Sequence, residues 1–221
     1  MASLFRTLVR VLKLGRLRFL WLGFSLYLLG ALLAVAAGIT FSPDRFVFGY
    51  AVLVTGHLSV NYSNEYFDYE TDLRTQSGTL SGGSGILPRY PGLRPFALWI
   101  GLSMAALSVA LGTAFTIIYS FPLAYFGFLI FGNLLSWFYT APPVRLAYRG
   151  LGEAATTIAV GFLMPAIGDF SQYGSGFSPL FLLFLVPLLL YALSFIINVE
   201  APDMEGDILS GKRNFVAREG R

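Results

Sequence analysis

Two clusters of carboxylates in this sequence share one spacing and have the chemistry of a divalent-cation site. The pattern Glu-x-x-Asp-x-Glu-x-Asp occurs twice, 135 residues apart, at Glu65, Asp68, Glu70 and Asp72 and at Glu200, Asp203, Glu205 and Asp207. Carboxylates packed this closely repel one another, and their hard oxygen atoms are suitable ligands for Mg²⁺. Because Mg²⁺ usually keeps waters and shares phosphate oxygens with a substrate, two such clusters facing one cavity predict a diphosphate bridged by Mg²⁺.

Helical geometry places part of each cluster on one face, because residues i, i+3 and i+4 of an α-helix are neighbours. Glu65, Asp68 and Asp72 would form one stripe, and the second cluster would form another if helical geometry continues past Pro202. The alternative for either cluster is a solvated helix end that binds nothing. The same spacing in two clusters on the same side of the molecule favours a functional site.

Basic residues close to the clusters are candidates for binding a phosphate group. Lys212 and Arg213 follow the second cluster in GKRN, and Arg145 and Arg149 lie in YTAPPVRLAYRGLGE. Arginine can bind phosphate through two parallel hydrogen bonds, whereas lysine acts as a point charge. The tendency of membrane proteins to carry basic cytoplasmic loops is an alternative reason for each of these residues.

Two further features leave their role open. The segment Ser77–Pro88, SGTLSGGSGILP, is rich in Gly and Ser, a composition that either a lid over a phosphate or a plain linker can have. His57 lies within an apolar run, where a buried, hydrogen-bonded histidine is expected. No Ser/His/Asp or zinc-ligand spacing occurs elsewhere in the sequence.

The composition is that of a membrane protein. Of 221 residues, 56% are hydrophobic and 12% charged, and the mean hydropathy is +0.68, whereas soluble domains carry about 25% charged residues. Since lipid cannot satisfy backbone polar groups, the long apolar runs predict an all-α, polytopic transmembrane helix bundle. The absence of cysteine excludes disulfide and thiolate chemistry, and a net charge of +3 does not indicate nucleic acid as a partner. The 16% of aromatic residues suits a cavity that shields a carbocation, or a surface that faces lipid.

Six apolar runs are candidates to cross a bilayer, which takes about 20 residues. They are Phe19–Ile39, Phe46–Ser63, 95–118, 122–140, Leu151–Gly168 and Pro179–Val199, with Pro165 and Pro187 expected to kink the last two. With a cytoplasmic N-terminus, fourteen of the fifteen Lys and Arg residues fall on the cytoplasmic side, and Arg45 lies outside. The positive-inside rule therefore predicts a multi-pass protein of the cell membrane, with a cytoplasmic N-terminus and an active site facing the cytoplasm.

These motifs resemble those of the UbiA superfamily of intramembrane prenyltransferases. Asn64, Asp68 and Asp72 match its first motif, Asn-x-x-x-Asp-x-x-x-Asp, and Asp203 and Asp207 match its second, Asp-x-x-x-Asp. The segments GDILSGKR and YTAPP…YRGLGE are also similar to family motifs. The resemblance is interpreted as a single transmembrane prenyltransferase domain over residues 1–221.

The resemblance implies that a polyprenyl diphosphate bound to Mg²⁺ ionises and that its allylic carbon alkylates an aromatic acceptor. The metal ligands that it implies are Asn64, Asp68, Asp72, Asp203 and Asp207, of which the four aspartates are the catalytic residues. The residues predicted to bind the diphosphate are the basic ones close to the clusters, Lys212, Arg213, Arg145 and Arg149. Those predicted for the substrate pocket are Tyr139 and Asn198. The isoprenoid tail would leave sideways into the lipid bilayer.

The segment DYETDLRT…SGGSG is most similar to the branch that prenylates 1,4-dihydroxy-2-naphthoate in quinone biosynthesis. Other branches use other aromatic acceptors or a glyceryl phosphate lipid, and a related terpene cyclase ionises the same diphosphate without an acceptor. Family members usually have nine spans. Six spans therefore predict a truncated chain that lacks the C-terminal part of the domain.

A cation transporter or channel, with acid rings at its mouth, is the alternative from another functional class. Transporters usually bind their substrates near the membrane midplane on broken helices. Here nearly all acids lie at one predicted membrane face, and His57 is the ionisable residue well inside a span. This distribution favours the enzyme, with a structural subunit or an inactive remnant as a third interpretation.

Overall fold

The computed structural model of the chain describes residues 2–73, 83–204, 207–208 and 211–220, without the side chains of residues 2–4 and Asp203. Within these residues the chain forms α-helices, short 3₁₀ turns and one π-helix, and no strand. The α-helices in this part of the chain include α1 (Ala2–Leu14), α2 (Leu20–Ala36), α3 (Pro43–Phe67), α4 (Tyr69–Asp72), α5 (Ile86–Arg89), α6 (Arg94–Ile118), α7 (Leu123–Trp137), α8 (Gly152–Ile158), α9 (Met164–Tyr173), α10 (Pro179–Glu200) and α11 (Phe215–Glu219). The predicted all-α fold is confirmed.

The helices include several that can cross a membrane. In the described part of the chain, four helical segments are long and apolar enough: Leu17–Ala36, Pro91–Ile118, Gly152–Tyr173 and Pro179–Glu200. The apolar helix α7 has 15 residues. Helix α3 has 25 residues but carries His57, Asn61 and Asn64 among its apolar side chains, which lowers its hydropathy. The multi-pass character is therefore confirmed, and the number of six spans stays a prediction.

Close backbone contact holds the bundle together where α2 crosses α9. A Cβ atom at Gly30 would lie 1.8 Å from the carbonyl oxygen of Pro165, and one at Gly168 would lie 2.0 Å from that of Tyr27. Only glycine allows these approaches. Small residues at a helix crossing are typical of membrane proteins, since close packing replaces the hydrophobic effect as the main source of helix association.

Aromatic side chains fill the core at one end of the bundle. The rings of Phe115, Phe121 and Tyr125 are buried there, with centroids 5.0 Å apart for Phe115 and Phe121 and 5.3 Å apart for Phe121 and Tyr125. Edge-to-face pairs of this kind stabilise a core beyond the area that they bury. This end lies at the C-terminus of α6, away from both acid clusters. Much of the aromatic content therefore belongs to the core.

Helix α9 is preceded by an irregular segment, as the position of Pro165 predicts. Residues Ala159–Leu163 form a π-helix between α8 and α9. Proline lacks the N–H group that would continue a regular α-helix, and π-helical segments are one response to such an interruption. Gly161 in this segment lies against α10, where an added Cβ would come 2.8 Å from the carbonyl oxygen of Leu188. Helix α10 continues through Pro187.

Both acid clusters start at helix C-termini that meet at the same end of the bundle. After α3 the backbone keeps its helical spacing, because the Asp68 N–H donates to Asn64 O and the Asp72 N–H donates to Asp68 O, each at 2.8 Å. After α10 the geometry tightens into a 3₁₀ turn at Ala201–Asp203, which contains Pro202. The first cluster therefore keeps its predicted stripe, whereas helical geometry does not continue unchanged through the second.

Candidate active site

A polar cavity of about 160 Å³ lies between the two acid clusters. Among the described residues, the acidic and basic side chains that line it are five carboxylates and two cations, namely Glu65, Asp68, Asp72, Glu200, Asp207, Arg16 and Lys212. Glu70 points elsewhere and forms an ion pair with Arg94, with 3.2 Å between Oε1 and the guanidinium nitrogen. The structure thus brings the two clusters to one cavity, although they are far apart in sequence.

Lys212 lies between the two clusters. Its Nζ atom is 3.8 Å from Asp68 Oδ2 and 3.7 Å from Asp207 Oδ1. Burial lowers the pKa of Lys212, but the carboxylates of Asp68 and Asp207 outweigh burial, so that the net pKa is raised and the ammonium group stays charged. A positive charge is therefore fixed at the centre of the cavity.

Hydrogen bonds orient the two aspartates, Asp68 and Asp207, whose carboxylates pair with Lys212. The Tyr148 hydroxyl donates to Asp68 Oδ1 at 2.7 Å, and Asn214 Nδ2 donates to Asp207 Oδ2 at 2.6 Å. Burial and the Asp68 carboxylate raise the pKa of Tyr148 to about 12, so this hydroxyl remains a donor. Asn214 also begins α11, since its side chain accepts a hydrogen bond from the Ala217 N–H.

The first cluster is covered by the end of the Gly- and Ser-rich segment. Ser84 donates to the Glu65 carboxylate through its backbone N–H and its hydroxyl, both at 2.6 Å. Gly83 packs against Asp72, where an added Cβ would lie 1.9 Å from Oδ2. Burial, together with the carboxylates of Asp68 and Glu65, raises the pKa of Asp72 to about 7. Residues 83–85 therefore close one side of the cavity, while residues 77–82 lie outside the described residues.

The second cluster is joined to the first turn of α8 through Glu153. This residue hydrogen-bonds Glu200 and also accepts a hydrogen bond from the Phe215 N–H. Glu200 Oε2 is buried without a hydrogen-bond partner. Burial raises the pKa of Asp207, while Lys212 and Asn214 oppose this rise. The side chain of Asp203, and Glu205, lie outside the described residues.

The donor set fits a cation that arrives together with an anionic ligand. Among the described side chains, no three acids lie close enough to form a ready-made metal cage. Mg²⁺ does not need one, because it takes a few carboxylate oxygens and completes its shell with water and phosphate. The excess of carboxylates over cations leaves negative charge that such a cation would balance, and the buried Oε2 of Glu200 is an oxygen atom still without a partner.

An apolar cavity of about 250 Å³ adjoins the polar one. Asn64 and Tyr139 line both cavities. Asn64 is held in place by Thr140, whose hydroxyl donates to Asn64 Oδ1 at 2.7 Å. The apolar cavity is lined mainly by aliphatic side chains of α3, α7, α8, α9 and the π-helix, with His57 among them. The predicted hydrogen bond of His57 is not found among the described residues, and its imidazole faces this cavity instead.

Four of the sequence-predicted site residues do not line the polar cavity. Arg145 stacks over the Tyr148 ring, with its guanidinium carbon 4.0 Å from the ring centroid, and Arg149 donates to Pro143 O at 2.9 Å. Arg213 is exposed beside Lys212 in sequence. Asn198 is exposed on α10 and donates to Ser194 O at 2.7 Å.

Comparison of the sequence with models of protein families shows which family the chain belongs to, because one model matches most of its length. The model of the UbiA prenyltransferase family matches residues 23–221. The chain belongs to this family. No curated protein matches the chain. The family assignment confirms the resemblance seen in the motifs, and it identifies the chain as a prenyltransferase-family enzyme rather than a transporter.

Solved structures of UbiA proteins share the fold. A UbiA homolog from Archaeoglobus fulgidus bound to DMAPP and Mg²⁺ superimposes with a TM-score of 0.69 at 20% identity, covering 94% of this chain and 68% of that one. A second structure of a UbiA homolog from Archaeoglobus fulgidus, bound to GPP and Mg²⁺, gives a TM-score of 0.68 at 21% identity, covering 96% and 69%. The likeness establishes a UbiA-like membrane fold.

Sequence reasoning missed one residue that lines the polar cavity, Arg16, and one that supports the site from outside the lining, Tyr148. Arg16 lines the polar cavity with a buried, unpartnered Nε atom, and it adopts a left-handed backbone conformation with φ 47°. In the sequence, Arg16 is one of several basic residues before α2, and nothing in the sequence distinguishes it from the others. Tyr148, within the quoted YRGLGE motif, supports Asp68, but a contact between residues 80 positions apart leaves no pattern in a single sequence.

Proposed function

We propose that the chain transfers a prenyl group from a polyprenyl diphosphate, bound with Mg²⁺, to an aromatic acceptor. The observation that carries this proposal is the junction at Asn64 and Tyr139 of a carboxylate-rich cavity with an apolar one. A ligand that has a polyanionic head group, neutralised by a metal ion, and a hydrocarbon tail is complementary to the two cavities: the head group to the polar one and the tail to the apolar one. The solved UbiA homologs bound to DMAPP or GPP with Mg²⁺ support this class of donor.

The polar cavity would bind the diphosphate. Mg²⁺, when bound, neutralises the diphosphate and makes it a better leaving group. The residues that we propose as its ligands are Asn64, Asp68, Asp72, Asp203 and Asp207. Lys212 already lies between Asp68 and Asp207, where its ammonium group can donate to a phosphate oxygen. Arg145, Arg149 and Arg213, which do not line the cavity, are proposed as further phosphate partners.

The apolar cavity would bind the isoprenoid tail and keep water away from the reacting carbon. An allylic cation reacts with any water that reaches it, so exclusion of water decides between transfer and hydrolysis. Tyr139 lies where the two cavities meet, next to the expected position of the allylic carbon. Its ring face can stabilise positive charge during ionisation.

The acceptor that we propose is a quinone precursor, 1,4-dihydroxy-2-naphthoate. This choice rests on the segment DYETDLRT…SGGSG, whose described end, Gly83–Gly85, covers Glu65 and Asp72. We also propose that the protein lies in the cell membrane with this site facing the cytoplasm, which is supported by the distribution of Lys and Arg along the sequence.

Transfer can be tested in membranes that contain the chain. Labelled polyprenyl diphosphate, Mg²⁺ and a panel of aromatic and glyceryl phosphate acceptors are incubated, and prenylated products are separated. The expected result is Mg²⁺-dependent prenylation of 1,4-dihydroxy-2-naphthoate, which Asp68→Asn abolishes and Glu70→Gln preserves, because Glu70 pairs with Arg94 outside the cavity.

The other outcomes of this assay are informative. Release of diphosphate with a cyclised hydrocarbon and no acceptor product would replace the proposal with a terpene cyclase. Prenylation of a different acceptor would overturn the choice of 1,4-dihydroxy-2-naphthoate but keep the donor site. Equal turnover in chelator would contradict the metal–diphosphate interpretation altogether.

A further inference from the structure

Helix α1 presents an apolar stripe that the rest of the molecule leaves uncovered. Phe5, Leu8 and Leu12 are 67%, 54% and 45% exposed. Their spacing places them on one face of the helix. The adjoining face is attached to the protein, because Leu14 is buried with Tyr62 and Leu87. The helix is therefore docked firmly and still exposes a row of large apolar side chains.

A basic groove runs along α1 beside this stripe, and Phe5 and Leu12 lie at the boundary between the two. We call it the α1 groove: the depression between α1 and residues 86–90, with cavities of about 910 and 310 Å³. Its basic lining residues are Arg6, Arg10, Lys13, Arg16, Arg18 and Arg89. Arg10 stacks over the ring of Tyr90, with 3.8 Å from its guanidinium carbon to the ring centroid. Among the described residues, Asp72 is the one acid in this lining, and Lys13 and Arg89 form no ion pair.

The groove joins positive charge to apolar surface. Val9, Leu12 and Ile86 lie in its walls between the cations. A preference for basic residues on the cytoplasmic side explains the sign of these charges, but it does not explain why they line a concave surface with apolar walls. A phosphate attached to hydrocarbon chains has this combination of properties. Since α1 leads directly into the apolar segment Leu17–Ala36, which is long enough to cross a membrane, we expect the groove at the level of the lipid headgroups.

We propose that the α1 groove binds the headgroup of an anionic phospholipid, while Phe5, Leu8 and Leu12 enter the acyl-chain layer. Basic amphipathic helices bind anionic membrane surfaces in this way. The site adjoins the polar cavity, because Arg16, Asp72 and Gly83 line both. The lipid is a ligand separate from the proposed prenyl donor, and its binding is measurable without turnover.

Quenching by brominated lipid tests the proposal directly. The chain has no cysteine, so Leu8→Cys gives one site for a bimane label. The labelled full chain is reconstituted into vesicles in which either phosphatidylglycerol or phosphatidylcholine carries bromine on its acyl chains. Stronger quenching by brominated phosphatidylglycerol at equal mole fraction is expected. Lys13→Gln combined with Arg89→Gln should lower this preference about fivefold for each cation removed.

A matched variant controls for net charge. Arg45→Gln combined with Arg218→Gln removes the same charge outside the groove and should keep the preference. In case the groove variant fails to fold, the unchanged protein provides a second measurement, because about 1 M salt should abolish its preference for phosphatidylglycerol. No quenching by either lipid, or equal quenching by both, would overturn the proposal. Loss of the preference on adding geranyl diphosphate would assign the groove to the prenyl donor and also overturn it.

Discussion

At the residue scale, the site depends on how each carboxylate is supported. Asp68 is held by Tyr148 and Lys212, and Asp207 by Asn214 and Lys212. These partners fix the carboxylates in position before any ligand arrives. A ligand that brings its own cations would then bind to oxygen atoms that are already oriented. Binding costs less conformational entropy when the side chains are ordered in advance.

Tyr148→Phe tests this support without touching a carboxylate. The change removes the 2.7 Å hydrogen bond to Asp68 and leaves the ring in place. Loss of such a supporting partner typically lowers metal affinity about 10–100-fold. We expect a loss of this size in the Mg²⁺ titration of geranyl diphosphate binding. Tyr90→Phe removes a hydroxyl outside the polar cavity and should leave the titration unchanged; equal effects of both variants would contradict the role of Tyr148.

Metal binding should depend on pH through Asp72. Its pKa is raised to about 7, so the carboxyl carries a proton below that pH and a metal ion must displace it. Affinity for Mg²⁺ should therefore fall as pH decreases from 8 to 6, by up to about tenfold per unit below 7, and level off above 8. Asp72→Asn should flatten this part of the profile. A profile of the unchanged protein that is flat from pH 6 to 8 would contradict the prediction.

The spacing in the sequence indicates the acids that line the polar cavity, and Lys212 was expected beside them, but the other supporting residues could not be foreseen. Glu65, Asp68 and Asp72 follow one helical spacing, which is visible in a single sequence. Arg16 reaches the polar cavity, and Tyr148 reaches Asp68, through tertiary contacts that the periodicity of the sequence does not reveal. The loop arginines Arg145 and Arg149 were predicted from charge alone, and charge does not specify that Arg145 stacks on Tyr148 or that Arg149 binds Pro143 O.

At the scale of elements, α2 crosses α9 with their backbones in close contact, and α9 contributes Met164 and Ile167 to the apolar cavity. Gly30 and Gly168 make this close contact possible. Displacing α9 would also shift the π-helix before it, whose residues line the apolar cavity. Stability and tail binding are therefore coupled through this crossing.

Gly168→Ala should destabilise the protein, because the new methyl group meets the backbone at Tyr27 O rather than a side chain that can move. Overpacking of this kind costs about 1–3 kcal/mol. Gly127→Ala is the matched control: its Cβ meets nothing within 4 Å, and helix propensity favours alanine by about 1 kcal/mol. Thermal unfolding in detergent should show opposite shifts in Tm for the two variants. Shifts of the same sign and size would contradict this account of the crossing.

The bounds of the apolar helices were predicted from the sequence to within a few residues. Predicted Pro179–Val199 corresponds to α10, Pro179–Glu200, and predicted 95–118 corresponds to α6, Arg94–Ile118. The π-helix was not foreseen, because the signal at Pro165 indicates an interruption but not the form it takes. The 3₁₀ turn after α10 was likewise not predicted, because Pro202 indicates that the helix can be interrupted but not which geometry follows.

At the scale of the whole molecule, two cavities of opposite character meet near one end of a membrane bundle. If the isoprenoid tail starts at their junction, the extent of the apolar cavity beyond Tyr139 limits the length of tail that fits. Gly132 lines the apolar cavity, and a Cβ there makes only an ordinary contact, 3.6 Å from Leu163 Cδ1. A larger residue at this position would fill the cavity without disturbing the backbone.

Gly132→Leu should therefore discriminate between donors by tail length. We expect affinity for geranyl diphosphate to fall about tenfold, the equivalent of roughly two methylene groups that lose their burial. Affinity for dimethylallyl diphosphate, which has one isoprene unit fewer, should change less. Gly127→Leu directs its side chain into open space and should affect neither donor. An equal loss for both donors would show that the tail does not occupy this cavity.

The most direct test of the central claim is calorimetric titration of the purified chain with geranyl diphosphate, with Mg²⁺ and again with a chelator in its place. The account predicts saturable binding with Mg²⁺, at least about tenfold weaker in chelator, and no Mg²⁺-dependent binding after Asp68→Asn combined with Asp207→Asn. Binding of equal affinity in chelator, or full Mg²⁺-dependent binding to the double variant, would contradict it.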